Sequence, residues 1–377
     1  MNRALPALGS IPGKLLRECV SLTWRGPPAR GAAEAVLSVW LALLIGRAVH
    51  VEEADWAAFT AFMVLRTVPR DALARAALRL CGTVLGAALA VGVAVLTAGI
   101  AWRVSVALLI PVGLSLFLGL TARFSYAWVL TGVTYILVLT DTLVQARPAA
   151  AIAYARAEEV CAGTLAAVVV ALGFALVFRG AAMPPSGGSG VHPPGGIPHD
   201  PHAALWRAAE GAVAVALLPL LHASIGLPAL VQSAITALIL LSVPLDRSAS
   251  WVASLPIAQR MAERTTGALL GGGLAVLAIL AGRHNEVLWW GLIAVVVFVG
   301  WQVANGREGV GYTGLQFVVG FLLTFIQGVG PIGHADVALG RLVGIMVGIV
   351  VLGAVLLAGE SIRLSRAAQE GAQGRVR

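Results

Sequence analysis

The 377 residues are 59% hydrophobic and only 12% charged, with a mean hydropathy of +0.89. A soluble domain carries about twice that charge fraction, so the composition excludes an ordinary water-soluble fold and indicates a chain mostly immersed in lipid. The net charge of +8 comes from 25 arginines and 1 lysine scattered between apolar runs, a pattern that points to orientation in a membrane and away from nucleic-acid binding.

Residues 1–30 form a mixed cytoplasmic segment, and with no apolar run before the first span no signal peptide is expected. Six apolar runs follow within residues 31–179, at 31–49, 55–73, 82–101, 103–121, 125–143 and 159–178. Each approaches the ~20 helical residues that cross a ~30 Å hydrocarbon core. Residues 180–202 ("AAMPPSGGSGVHPPGGIPHDPH" with its flanks) are rich in Pro and Gly and read as a flexible cytoplasmic linker. His192, His199 and His202 lie there without fixed geometry, so no metal site is expected. Six more runs fall within residues 203–359, at 207–225, 228–245, 264–282, 287–304, 312–329 and 336–358, before a basic cytoplasmic tail at 360–377. Cys19, Cys81 and Cys161 have no metal-ligand or redox spacing.

The two sets of six resemble each other. Glu34 aligns with Glu210 at an offset of 176, "TVPRD" (Thr67–Asp71) with "SVPLD" (Ser242–Asp246) at 175, and "RLCGTVLG" from Arg79 with "RTTGALLG" from Arg264 at 185. The expected fold is therefore an all-α polytopic membrane protein of about 12 transmembrane helices, arranged as two parallel six-helix repeats. Counting Lys and Arg by loop puts 20 on the side of both termini and the linker and 6 on the other, which orients the termini to the cytoplasm. A weaker echo, Glu159–Gly163 and Arg341–Gly348, allows an inverted three-plus-three arrangement inside each set.

Glycines at i and i+4 make a smooth helix face, so Gly82/Gly86, Gly267/Gly271 and Gly344/Gly348 are candidate helix contacts. Arg79, Arg264 and Arg341 each precede such a pair; they either reach to the interface or draw anions toward a vestibule. Arg66 falls about 15 Å along a helix from Trp56, where a charge needs a wet cavity, a partner, or a helix that ends early at Pro69. Leu241 stands in its place in the second set. Glu34 and Glu210 open the first helices of the two sets, as dipole-favoured carboxylates or as proton carriers. Glu159 is a further proton-coupling candidate, beside Asp141 and Arg156, where an ion pair is the simpler reading. Tyr126, Trp128 and Tyr312 read as membrane-interface residues.

Residues 55–90, "DWAAFTAFMVLRTVPRDALARAALRLCGTVLGAALA", resemble the fusaric acid resistance protein-like and aromatic acid exporter superfamily of integral membrane transporters. The carriers of the resemblance are Trp56, the helix running into Pro69, the arginines that follow, and Arg79 with Gly82 and Gly86. It is strong over 31–100 and weaker over 160–280. It implies export of aromatic or other organic carboxylates across the inner membrane of Gram-negative bacteria, coupled to protons, with arginines lining the anion path and no cofactor. It further implies a homodimer, as in members that resemble plant malate channels, and admits a periplasmic adaptor protein as a partner. Glu34 stands where the family often has a basic residue. Three classes stay open: an exporter of organic anions, a passive anion channel on the same scaffold, and a non-transporting assembly partner. No metalloprotease, P-loop or nucleophile motif supports an enzyme.

Overall fold

Long apolar stretches in lipid have to satisfy their backbone groups internally, and helices do so within one segment. The computed structural model describes residues 11–373 except 67, 146, 179–200, 228, 243–253, 282–284, 329 and 331–332. Residues 180–200 of the linker expected at 180–202, and most of "SVPLD", thus lie outside the described residues, while Pro201 and His202 already open a helix. The described residues form thirteen helices: α1 (Ile11–Val20), α2 (Pro27–Ala48), α3 (Ala54–Val64), α4 (Pro69–Thr97), α5 (Ala101–Thr121), α6 (Ser125–Val144), α7 (Ala149–Val177), α8 (Pro201–Ile225), α9 (Leu230–Leu241), α10 (Ser254–Leu280), α11 (Glu286–Ala304), α12 (Gly311–Phe325) and α13 (Ala335–Gln373).

Nine of the helices among the described residues are long and apolar enough to cross a bilayer; α3, α9 and α12 are shorter. The expectation of twelve full spans is corrected accordingly. The clearest departure is at Pro69. Instead of closing a helix at 73, the chain leaves helix after Val64, extends through Leu65 and Val68, and starts α4 with Pro69 in its first turn. Proline lacks an N–H and disfavours helical geometry in the residue before it, so it opens a helix more readily than it continues one. The same logic moves the start of α7 from 159 to Ala149, just after Pro148. A three-residue turn with Gly99 at φ 67° joins α4 to α5.

Within the first set, α4 packs along α6, α3 along α7, and α2 against both α3 and α7. Within the second, α10 packs along α12, α9 along α13, and α8 against both α9 and α13. Across the sets, α5 meets α8 and α2 meets α11. In lipid, apolar burial alone does not drive such contacts; close backbone approach does. A Cβ on Gly82 or Gly86 would come within 3.0 Å of the carbonyl oxygens of Ala127 or Thr131 on α6. Gly267 and Gly271 meet those of Thr313 and Phe317 on α12, Gly344 and Gly348 those of Ala229 and Ser233 at α9, and Gly163 that of Ala57 on α3, at equally short range.

Leu108, Leu116, Ile136, Leu139, Leu218 and Leu238 fill the seam where α5, α6, α8 and α9 meet. Leu43, Trp289 and Phe321 fill a second seam between α2, α11 and α12. Successive helices alternate in direction, so the turns at 49–53, 98–100 and 145–148 share one end, called the far end. The breaks at 65–68, 122–124 and 305–310 share the near end, where α1 lies. Sequence reading did not anticipate α1. Its Glu18 is buried, accepting a hydrogen bond from the Glu308 backbone N–H, while Arg17 pairs with the Glu308 side chain at 2.7 Å. Beyond α1, Trp24 stacks on Phe298 with ring centroids 5.2 Å apart.

Candidate functional site

Because α3 stops at Val64, its last carbonyls are left without helical partners. Arginines take them up. Arg75 Nε donates to the Met63 carbonyl at 2.9 Å, and Arg66 Nη1 donates to the Leu65 carbonyl at 2.5 Å. One turn further along α4, Arg79 Nη2 donates to Thr60 Oγ1 at 2.8 Å and Nη1 to the Tyr126 hydroxyl at 3.2 Å. The Arg75 guanidinium lies 4.0 Å over the Tyr126 ring, and Arg79 lies 5.1 Å from the Phe59 ring centre. Arg75 and Arg79 are buried, and Arg79 Nε has no partner among the described residues.

This gathers three guanidiniums, those of Arg66, Arg75 and Arg79, around one tyrosine. Among the described residues none of them forms an ion pair with a carboxylate. Asp71, which is exposed, acts on Arg66 only at longer range. The helix end opposite them supplies about half a negative charge, against three full positive ones. The excess attracts anions, and a planar carboxylate suits the guanidinium fork.

A second station has the same plan. Arg264 Nη2 donates to Thr236 Oγ1 at 2.9 Å and Nη1 to Gln316 Oε1 at 2.7 Å, while Arg260 lies 4.5 Å over the Tyr312 ring. Here Leu241 replaces Arg66, and Glu263 is buried in the same turn of α10, held by Gln259 at 2.8 Å. The second station therefore has two arginines and a nearby carboxylate, and the first is the more electropositive. Tyr126 and Tyr312, expected at the membrane interface, each sit against paired arginines just after a near-end break. Their 186-residue spacing, beside the 185-residue spacing of Arg75/Arg260 and Arg79/Arg264, is the signal that would have found them.

The other candidates fall elsewhere. Arg341 is at the far end, where Nη1 donates to Asp55 Oδ2 at 2.7 Å and to the Leu323 carbonyl. Glu159 is there too: Arg156 Nη1 donates to Glu159 Oε2 at 2.8 Å, and Nη2 reaches Glu53 at 2.6 Å and Asp141 at 3.5 Å. Glu210 lies at the near end, accepting from Trp206 Nε1 at 2.7 Å and pairing with Arg363 in the C-terminal part of α13. Glu34, its counterpart, is buried with no ion pair among the described residues. Glu34 and Glu210 thus belong to helix starts remote in sequence from Tyr126 and Tyr312, and neither is hydrogen-bonded to the arginine stations.

The first station lies inside a recognisable segment. Residues 41–170 match the fusaric acid resistance protein-like family. No curated protein and no solved structure was matched by the chain. The fusaric acid resistance protein-like domain runs from within α2 to within α7 and holds Arg66, Arg75, Arg79 and Tyr126, together with Asp55, Asp141, Arg156 and Glu159. The Arg260–Arg264–Tyr312 station lies beyond it. The chain is thus a multi-pass helical membrane protein in contact with lipid, with a fusaric acid resistance protein-like domain in its first part.

Proposed function

We propose that the protein exports organic anions, aromatic carboxylates foremost, across a bacterial inner membrane, with protons as the coupling ion and both termini in the cytoplasm. The observation that carries this reading is the trio of guanidiniums around Tyr126 with no ion-paired carboxylate among the described residues. Keeping an Arg at membrane depth costs about 2.5–3.5 kcal/mol on insertion scales, a cost that a transient anionic ligand offsets. The Tyr126 and Phe59 rings beside Arg75 and Arg79 suit an aromatic acid over a small inorganic anion.

We further infer that the chain is two parallel six-helix repeats, α2–α7 and α8–α13. Supporting this, α4·α6 corresponds to α10·α12, α3·α7 to α9·α13, and the cross-contact α5·α8 to α11·α2. Thr60 and Thr236, 176 residues apart, receive the same hydrogen bond from Arg79 and Arg264. The excess of Lys and Arg at the near end supports its cytoplasmic placement.

The test is uptake of a panel of aromatic carboxylates into inside-out vesicles, with and without an imposed proton gradient. Gradient-driven accumulation is the expected result, and Arg79→Gln lowers it roughly 10- to 100-fold, as fits the loss of one charge-assisted hydrogen bond of about 1.5–3 kcal/mol. Arg307→Gln, on an exposed loop, leaves uptake unchanged. Flux that only equilibrates would replace the exporter by a channel, and undiminished uptake by the inserted Arg79→Gln protein would remove the site.

A further inference from the structure

The far end holds a second charged cluster, of opposite balance. Four carboxylates, Glu53, Asp55, Asp141 and Glu159, share two guanidiniums, Arg156 and Arg341. Arg156 alone serves three of them, the weakest at 3.5 Å to Asp141. Formally the cluster carries two negative charges in excess. Asp55, Asp141 and Glu159 are almost wholly buried, and only Glu53, with its side chain 34% exposed, reaches the rim. Two buried oxygens, Asp55 Oδ1 and Glu159 Oε1, have no partner among the described residues.

The remaining charges nearby do not restore the balance. Arg47 on α2 pairs with Glu286 at 3.4 Å, Arg147 pairs with Glu52, and Glu158 and Asp336 are exposed. The α12 segment that meets α3 has no charged residue. A pocket of about 10 Å³ runs in from the surface, lined by Glu52, Glu53, Gln145, Arg147, Arg156 and Glu159, room for about one water. Among the described residues no group is arranged to hold a metal ion.

We propose that this cluster is a proton-binding site, filled from the far end through the Glu159 pocket, whose occupancy controls the tie between α3 and α13. An excess proton adds to a carboxylate oxygen, one O–H bond forms, and the net charge falls from two negative to one. Like charges this close favour holding one proton among them. Asp55 is the residue through which the site acts on the rest of the molecule. Its pair with Arg341 joins a helix of the first set to one of the second. A protonated Asp55 loses the ionic part of that bond, which leaves Arg341 facing neutral acceptors, the Asp55 acid and the carbonyls of Leu323 and Ile326. The role in coupling rests on the transporter reading; the proton site itself does not.

The experiment is an infrared titration of the purified protein in lipid nanodiscs, following the carbonyl stretch of protonated carboxylic acids from about pH 8 to pH 5, with binding of an aromatic carboxylate measured on the same samples. A titrating band is expected in the wild type. Asp55→Asn or Glu159→Gln removes one negative charge and abolishes the band or shifts its midpoint down by more than one pH unit. The rim variant Glu53→Gln, which leaves the buried groups in place, folds and shifts the midpoint down; Arg341→Gln shifts it up. None of these variants changes carboxylate binding by more than a few-fold, whereas Arg79→Gln weakens it roughly 10- to 100-fold. A band insensitive to all four far-end substitutions overturns the proposal, as does a midpoint that tracks sodium concentration in place of pH. Absence of carboxylate binding alongside a normal band overturns the transporter reading alone.

Discussion

Single residues separate the two functions of glycine in this fold. Gly163 faces the Ala57 carbonyl and Thr60 Cβ, while Gly173, ten residues along α7, has nothing within 4 Å of where its Cβ would be. Gly163→Ala therefore pushes α3 away from α7 and lowers stability by about 1–3 kcal/mol, whereas Gly173→Ala is neutral or stabilising by up to about 1 kcal/mol. Thermal unfolding of the two variants in detergent checks this, and equal effects would mean that the α3–α7 contact is not tight. Thr60 belongs to the same contact and also receives Arg79, so Gly163→Ala disturbs the first arginine station without touching it. The R-x-x-G spacing made Arg79 and Arg264 legible in the sequence. Tyr126, 47 residues from Arg79, was not legible, because a hydrogen bond between distant helices leaves no local pattern. The cations at the ends of the two sets have also traded places. Arg30 lies 4.0 Å over the Phe178 ring, but in the second set Trp206 supplies the ring and Arg363 the cation, at 5.2 Å. A comparison that aligns residue types alone misses such a pair, since each position changes its chemistry.

At the scale of elements, apolar runs located the helices, and prolines moved their boundaries. Runs of similar hydropathy hid the difference between α3, with 11 residues, and α4, with 29, because Val64–Val68 is as apolar as the helix before it apart from Arg66. The turns that precede α3 and α7 are tied to each other by charge. Glu52 accepts two hydrogen bonds from Arg147, which holds its carboxyl below the ordinary 4.5. A depressed carboxyl contributes stability above its unfolded-state value and loses it as the pH falls through the folded-state value. The small difference in melting temperature between wild type and Glu52→Gln should be present near neutral pH and vanish once the pH has fallen below the depressed folded-state value. A difference that persists in acid would mean that the pair is not what Glu52 contributes. Helix α1 was absent from the sequence reading because ten residues with one lysine, one arginine and one glutamate carry little hydropathy signal. Its anchor is Glu18, buried against the turn at Gly306–Glu308. Glu18→Ala should free the segment, and trypsin should then cut after Lys14 or Arg17 several-fold faster with the transmembrane helices intact. An unchanged rate would show that Trp24 and Ile11 suffice to hold it.

For the whole molecule, the recurring phrases in the sequence spoke to helix order but not to how the two sets interlock. The contact of α5 with α8 is the test of that arrangement. A Cβ on Gly113 would lie 3.5 Å from Ala212 Cβ, within the range a disulfide spans. With Cys19, Cys81 and Cys161 replaced by serine, the Gly113→Cys/Ala212→Cys protein should oxidise to a crosslinked form. When the two sets are co-expressed as separate chains divided in the 179–200 segment, they should run as one band until reduced. Two bands under oxidising conditions would refute the α5–α8 contact.

The docking of α1 also sets a clock for assembly. Arg17 meets Glu308 across 291 residues of chain. A ribosome adding about 5–20 residues per second needs roughly 15–60 s to cover that distance. Helix α1 therefore has to stay undocked until the α11–α12 turn is made. Its docking reports that the chain has been made at least through Glu308, and a product truncated before that turn never receives that mark.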